Sequence, residues 1–114
     1  MSMANAIAAR LDGIQSLARI SDREVSDLIR TRPETISRWR TGKSEPQQRS
    51  LESLLKLEWL VGQLSELYSP DDAKLWLYSP HKLLDGDRPA DRIIDDRLDD
   101  VLKVIAQLKD GAYA

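Results

Sequence analysis

Residues 46–68, PQQRSLESLLKLEWLVGQLSELY, form the longest uninterrupted helical pattern in the chain, and their apolar positions decide how the rest is arranged. Leu51, Leu54, Leu55 and Trp59 fall on one side of a helix, whereas Leu57, Leu60, Val61, Leu64, Leu67 and Tyr68 fall on another. At about 100° per residue, the centre of the apolar stripe swings by roughly 140° from one end to the other. A helix with a rotating apolar face is expected to serve two groups of helices, one before it and one after. Pro46 is placed to open it, because a fixed φ and a missing N–H suit the first helical position.

Upstream, Ile7, Leu11, Ile14 and Leu17 recur at helical spacing and predict an amphipathic helix from Ala4 to about Ala18. Ser21-Asp22-Arg23-Glu24 has the form of a capping box, in which hydroxyl and carboxylate satisfy free amides at a helix start. The short helix that follows would bury Val25, Leu28 and Ile29. It must stop before Pro33, since proline pushes the residue before it out of helical geometry. Pro33 then opens a third helix, to about Arg40, that buries Ile36 and Trp39. Gly42 ends it, tolerating the left-handed backbone common just past a helix.

Val25, Leu28, Ile29, Ile36 and Trp39 have the spacing of a helix-turn-helix. In that motif the second helix enters the major groove of DNA. Arg32, Glu34, Thr35, Ser37 and Arg38 are therefore the base-facing candidates, with Arg40 and Lys43 placed for backbone phosphates. Arginine can hold guanine through two parallel hydrogen bonds, and threonine and serine reach bases or phosphates. The turn position that usually holds glycine is Arg30, so the turn cannot draw on glycine's conformational freedom. The plainer alternative is two core helices with exposed arginines.

Charge agrees with a front that meets phosphate. The 114-residue chain has a net charge of −2, but residues 1–50 carry +3 and the remainder −5. Arg30, Arg32, Arg38, Arg40, Lys43 and Arg49 concentrate cations in one stretch. Cysteine is absent, which excludes disulfides, thiolate zinc sites and a cysteine nucleophile, and fits a reducing cytoplasm. With one histidine, Ser79 and His81 are the sole nucleophile and base candidates, and two residues apart they point away from each other. No glycine loop cradles a phosphate, the aspartates lack the spacing of a calcium loop, and no apolar run approaches the roughly 20 residues that span a bilayer. The expectation is a binding protein and not an enzyme, with no cofactor, metal or membrane.

Downstream, Ser69-Pro70-Asp71-Asp72, Ser79-Pro80 and Arg88-Pro89-Ala90-Asp91 each predict a short helical piece, with Ser69 and Ser79 as caps. Leu75, Trp76 and Leu77 are expected inward with Leu83, Leu84, Ile93 and Ile94. The last helix, about Arg97 to Lys109, carries Leu98, Val101, Leu102, Ile105 and Leu108 on one stripe and ends at Gly111. Asp95, Asp96, Asp99 and Asp100 gather at its start, where carboxylates complement the helix dipole. The fold class is all-α, divided into residues 1–45 and residues 46–114.

The order Ala73-Lys74-Leu75-Trp76-Leu77-Tyr78-Ser79-Pro80, Leu84-Asp85-Gly86, Arg88-Pro89-Ala90-Asp91 and Val101-Leu102-Lys103-Val104-Ile105 resembles the MbcA/ParS/Xre antitoxin family, whose members neutralise RES-domain toxins that destroy NAD. The likeness covers nearly the whole chain, because the family also has a helix-turn-helix-like front with Trp39 and the Gly42 to Pro46 connection. It implies an Xre-like DNA-binding unit over 1–45, and a connecting helix with a toxin-binding helical domain over 46–114. It also implies a tail that lies over the mouth of the toxin's NAD pocket. Trp76, Tyr78, Arg88, Asp91, Gly111, Ala112, Tyr113 and Ala114 are the toxin-binding residues on this view. Trp76 has a plain core reading too, and Arg88 and Asp91 can pair around Pro89. The implied partners are a RES-domain toxin and operator DNA, met as a homodimer and a larger hetero-oligomer in a bacterial cytoplasm, with repression of its own operon. The alternative is a stand-alone helix-turn-helix regulator whose rear domain dimerises or senses a ligand.

Overall fold

The structure, a computed structural model, describes residues 2–111, so Ala112, Tyr113 and Ala114 of the expected tail lie outside the described residues. Among the described residues the fold is all-α, with no strand. Its helices are α1 (Met3–Ala18), α2 (Asp22–Leu28), α3 (Pro33–Thr41), α4 (Gln48–Ser65), α5 (Pro70–Leu77), α6 (Pro89–Ile94) and α7 (Leu98–Lys109), with a 3₁₀ turn at Lys82–Leu84.

Local chemistry sets most of these boundaries. Ser21 and Glu24 form the expected capping box, the Glu24 amide donating to Ser21 Oγ at 3.2 Å and the Ser21 amide to Glu24 Oε1 at 3.1 Å. Pro33, Pro70 and Pro89 each begin a helix, and Ser69 caps α5 by accepting from the Asp72 amide. Gly42 ends α3 at φ 77°. Pro46 does not open α4. The helix begins two residues later, behind an extended Gln47.

One apolar core, from Ile7 to Ile105, joins the helices of the described residues. α1 lies across α3, α4 and α5, α2 packs on α3 and α6, and α7 packs on α4 and α6. Leu54, Leu57, Leu60, Val61 and Leu64 are α4's fully buried residues and form a single stripe. The expected swing of its apolar face is therefore absent, and Leu55, Trp59 and Leu67 are exposed. The physical reason is that α1, α5 and α7 all approach α4 from one side, so one stripe serves both groups of helices. Elsewhere, the fully buried Ala18 takes the place that spacing gave to Leu17, which points outward. Leu77 is fully buried while Leu75 is 66% exposed, and Ile94 is also exposed, so neither Leu75 nor Ile94 packs inward as expected.

Removing a buried leucine's side chain costs its transfer energy plus a cavity, whereas an exposed one costs little. Leu77→Ala is expected to destabilise the fold by about 2–5 kcal/mol, and Leu75→Ala by less than about 0.5 kcal/mol. Urea denaturation of the two variants checks this ordering, and equal losses would contradict the placement of α5.

Candidate functional sites

Ile36 and Trp39 anchor α3 against α1 and α2, which turns Glu34, Ser37, Arg38 and Thr41 outward on the opposite face. These positions are spaced i, i+3, i+4 and i+7, so they form one surface strip. Arg32 is exposed just before the helix, Lys43 just after it, and Thr35 is half-buried at the edge. Among the described residues, Arg32, Arg38 and Lys43 make no salt bridge, so their charge stays available to an anion.

Arg40 behaves differently. Its Nε and Nη2 donate to the Asp22 carboxylate at 2.5 and 2.9 Å, and its Nη1 lies 3.0 Å from Asp12 Oδ1. The Asp22 hydrogen bonds dominate and hold its pKa above the usual arginine value. Arg40 clamps α3 to α1 and α2, and its charge is already compensated where a phosphate contact was expected.

The turn before α3 is a Schellman motif with arginine at the position that favours glycine. The Thr31 amide returns to the Ser26 carbonyl at 2.8 Å, the Arg30 amide to Asp27 at 3.2 Å, and Arg30 sits at φ 62°. Its guanidinium offsets the strain by donating to the Ile93 carbonyl at 3.0 Å and to Ser53 Oγ at 3.3 Å, with Asp96 3.1 Å away. The side chain thus ties the end of α2 to α4 and α6, and takes no part in the exposed strip of α3.

At the rear, the structure brings Tyr78, Arg88 and Asp91 together. The Arg88 guanidinium carbon lies 5.8 Å from the Tyr78 ring centroid, and Arg88 Nη2 is 2.7 Å from Asp91 Oδ1. Asp91 also accepts from the Arg88 amide at 3.1 Å, closing the start of α6. Hydrogen bonding to Arg88 holds the Asp91 carboxyl below its usual range. Burial, joined by the charges of Glu24 and Asp27, pushes the Tyr78 phenol up to about 12.

Trp76 sits apart from this cluster, stacked on Tyr68 at 6.4 Å between centroids and edge-on to His81 at 5.6 Å. It is half-buried, so it both fills the fold and presents a surface. Gly111 is exposed at φ 78°, just beyond α7. Ser79 is not a cap, because its hydroxyl donates to the Leu75 carbonyl at 2.6 Å and closes α5 instead. His81 takes the capping role two residues later, its Nδ1 accepting from the Leu83 amide at 3.1 Å.

Arg92 went unseen in the sequence. Nearly buried, it donates to Asp87 at 2.8 Å, Asp100 at 2.9 Å and the Leu84 carbonyl at 2.8 Å, binding the 3₁₀ turn, α6 and α7 into one piece. The signal was present as an arginine followed by Ile93 and Ile94 with aspartates on both sides, but which aspartates meet it depends on tertiary structure. Lys74 and Glu24, 3.3 Å apart, tie α5 to α2 in the same way.

A short helix with an exposed polar strip and free cations at Arg32, Arg38 and Lys43, together with an aromatic and ion-pair cluster on the same core, defines a small helical binding protein, and comparison with known proteins makes the class specific. MbcA, the mycobacterial cidal antitoxin of Mycobacterium tuberculosis and of Mycobacterium bovis, is 28% identical over 109 residues, covering 96% of this chain and 96% of its own length. The probable mycobacterial cidal antitoxin Rv3188 of M. tuberculosis is 34% identical over 90 residues, 79% of this chain and 76% of its own length. A chain in the crystal structure of the M. tuberculosis MbcT–MbcA toxin–antitoxin complex matches with a TM-score of 0.79 at 25% identity, covering 100% of this chain and 99% of that one. No protein-family model matches. The chain belongs to the MbcA-type antitoxin family.

The raised Tyr78 pKa has a definite sign. The folded state holds the phenolic proton more tightly than the unfolded chain, so stability is full below the ordinary tyrosine value of about 10 and is lost as pH rises through it toward about 12. An ultraviolet absorbance titration should show one tyrosine ionising at about 12, and Tyr78→Phe should abolish that phase. A wild-type titration without a late tyrosine would contradict the cluster's geometry.

Proposed function

We propose that this chain neutralises a RES-domain, NAD-degrading toxin by covering the entrance to its NAD pocket, and represses its own operon through α2 and α3 as a helix-turn-helix. The observation that carries the first part is the end-to-end likeness to a chain of a toxin–antitoxin complex. Inhibition of this kind needs no chemistry from the antitoxin. It needs only an interface of ordinary size, about 1,600 Å² in total, laid so that substrate cannot enter.

The toxin-binding surface is assigned to residues 46–114, with Trp76, Tyr78, Arg88 and Asp91 as contacts. Tyr78 and Trp76 offer half-buried aromatic faces, the kind of side chain that contributes most at protein interfaces. The pairing of Arg88 with Asp91 keeps a charged group rigid beside the Tyr78 ring, so little ordering entropy opposes docking. Gly111 ends the last helix, and Ala112, Tyr113 and Ala114 after it supply a short, uncharged segment with one aromatic ring, the chemistry of a plug. No helix among the described residues is long and apolar enough to cross a membrane, and the bacterial cytoplasm is the setting this role requires.

The DNA-binding surface is assigned to residues 1–45. Arg32, Glu34, Thr35, Ser37 and Arg38 face the bases, and Lys43 meets the backbone. Arg40 supports α3 from behind. Two copies would place their α3 helices about 34 Å apart on successive major grooves of a two-fold operator, which makes a homodimer, and with toxin a larger hetero-oligomer, the working form.

Equimolar full-length chain is expected to abolish NAD loss catalysed by a purified RES-domain toxin, and a variant lacking residues 111–114 should still bind yet lose most of the inhibition. Complete absence of inhibition by the full chain defeats the toxin part. For DNA, Arg32→Ala with Arg38→Ala should weaken operator binding at least about tenfold, since each bidentate base contact is worth about 1–3 kcal/mol. Binding should also decline steeply with salt. Unaltered affinity of the double variant in a gel-shift assay would remove α3 from the groove.

A further inference from the structure

The side of α4 turned away from the core is flanked by α7 and otherwise open to solvent. Trp59 stands there 58% exposed, with Leu55 and Leu67 also exposed. Between Trp59 and α7 runs a groove of ≈ 370 Å³, lined by Gln63, Leu102, Ile105, Ala106 and Lys109. An open indole beside an apolar groove loses about 25 cal/mol for each Å² left in water, and none of the side chains named as toxin or DNA contacts lines this groove.

α4 and α7 run parallel along this face. Lys56 lies beside Leu98 and Asp99 at one end, and Lys109 Nζ bonds Gln63 at 2.5 Å and Glu66 at 2.9 Å at the other. Lys56 near the first end and Asp110 near the second make no salt bridge among the described residues. At 1.5 Å rise per residue, these unpaired charges stand about 16 Å apart along the helices. A two-fold axis midway between them meets α4 within one turn of Trp59, at the groove. The rotation that sets Lys56 of each copy against Asp110 of the other therefore also lays each Trp59 over the partner's groove. Knob, hole and complementary charges on one surface are what a two-fold, isologous contact demands.

We propose that the α4–α7 face is the homodimer surface, with each Trp59 seated in the opposite copy's groove and Lys56 paired to Asp110 across the axis. This deepens the functional reading and rests on its dimer, but not on DNA or toxin. The face measures about 20 Å by about 20 Å from helix rise and helix spacing. Each copy thus contributes less than the ~800 Å² of a standard interface, and the dimer should depend on concentration.

Analytical ultracentrifugation of the full chain over a range of concentrations, without DNA or toxin, tests this. The wild type should pass from monomer to dimer. Trp59→Asp and, separately, Ala106→Arg should keep their helical circular dichroism and raise the dissociation constant at least tenfold. Lys56→Asp and Asp110→Lys should each weaken the dimer, and the two combined should restore it. A wild type that stays monomeric overturns both the surface and the dimer. A dimer untouched by Trp59→Asp and Ala106→Arg overturns the surface alone. If Trp59→Asp leaves the dimer intact but abolishes binding of a RES-domain toxin, the face belongs to the toxin and the proposal fails.

Discussion

Burial of a single leucine stripe on α4 is the constraint on which the rest of this structure depends. Leu54, Leu57, Leu60, Val61 and Leu64 are all inaccessible to solvent, and each is worth about 1.5–3 kcal/mol of burial. Because α1, α5 and α7 gather on that one side, the front and rear helices share a core instead of forming two. The exposed strip of α3 and the Tyr78 cluster are consequently held in fixed relation by apolar packing. The same arrangement leaves the outer side of α4 bare.

Polar contacts then sort the charged residues by task. Arg92 is nearly enclosed and meets two aspartates and a carbonyl, so it specifies how the 3₁₀ turn, α6 and α7 come together. Arg40 does the same for α3. More exposed pairs such as Arg19 with Asp71 contribute little, since water screens them and long side chains resist ordering. Among the described residues, the front cations left outside any salt bridge are Arg23, Arg32, Arg38, Lys43 and Arg49, and of these Arg32, Arg38 and Lys43 lie on or beside α3, where a polyanion would meet them. The front's net positive charge is therefore less informative than which of its cations lie outside the internal pairing.

Much of this was legible in the sequence because the deciding forces are local. The Ser21 and Glu24 capping box, the prolines that open α3, α5 and α6, the glycine that ends α3 and the burial of Ile36 and Trp39 all follow from residues within one or two helical turns. The misplacements share one cause, which is that partners distant in sequence chose among local options. Apolar residues cover more than half of α4's circumference, and only the approach of three helices from one side decides that Leu57 is buried and Trp59 is not. Leu75 and Leu77 look alike in the sequence, and the position of α1 separates them. Ser79 was equally able to cap the next turn or close the previous helix. For the sites, the exposed strip of α3 could be read from its period, whereas Arg40 could not be withdrawn from it until Asp12 and Asp22 were in place. The pairing of Arg88 with Asp91 could be read from their spacing around Pro89, whereas their meeting with Tyr78 emerged only with the fold.

Arginine in the left-handed turn ahead of α3 makes that turn a long-distance contact. A glycine there would relax without consulting the rest of the molecule, but Arg30 holds its backbone angle by reaching to the carbonyl of Ile93 at the end of α6. The angle at which α3 leaves the turn is thus mechanically geared to a helix 63 residues further along the chain. A displacement that carried the Ile93 carbonyl away would remove the hydrogen bond that offsets the Arg30 strain, and relaxing that turn would equally cost the bond at α6.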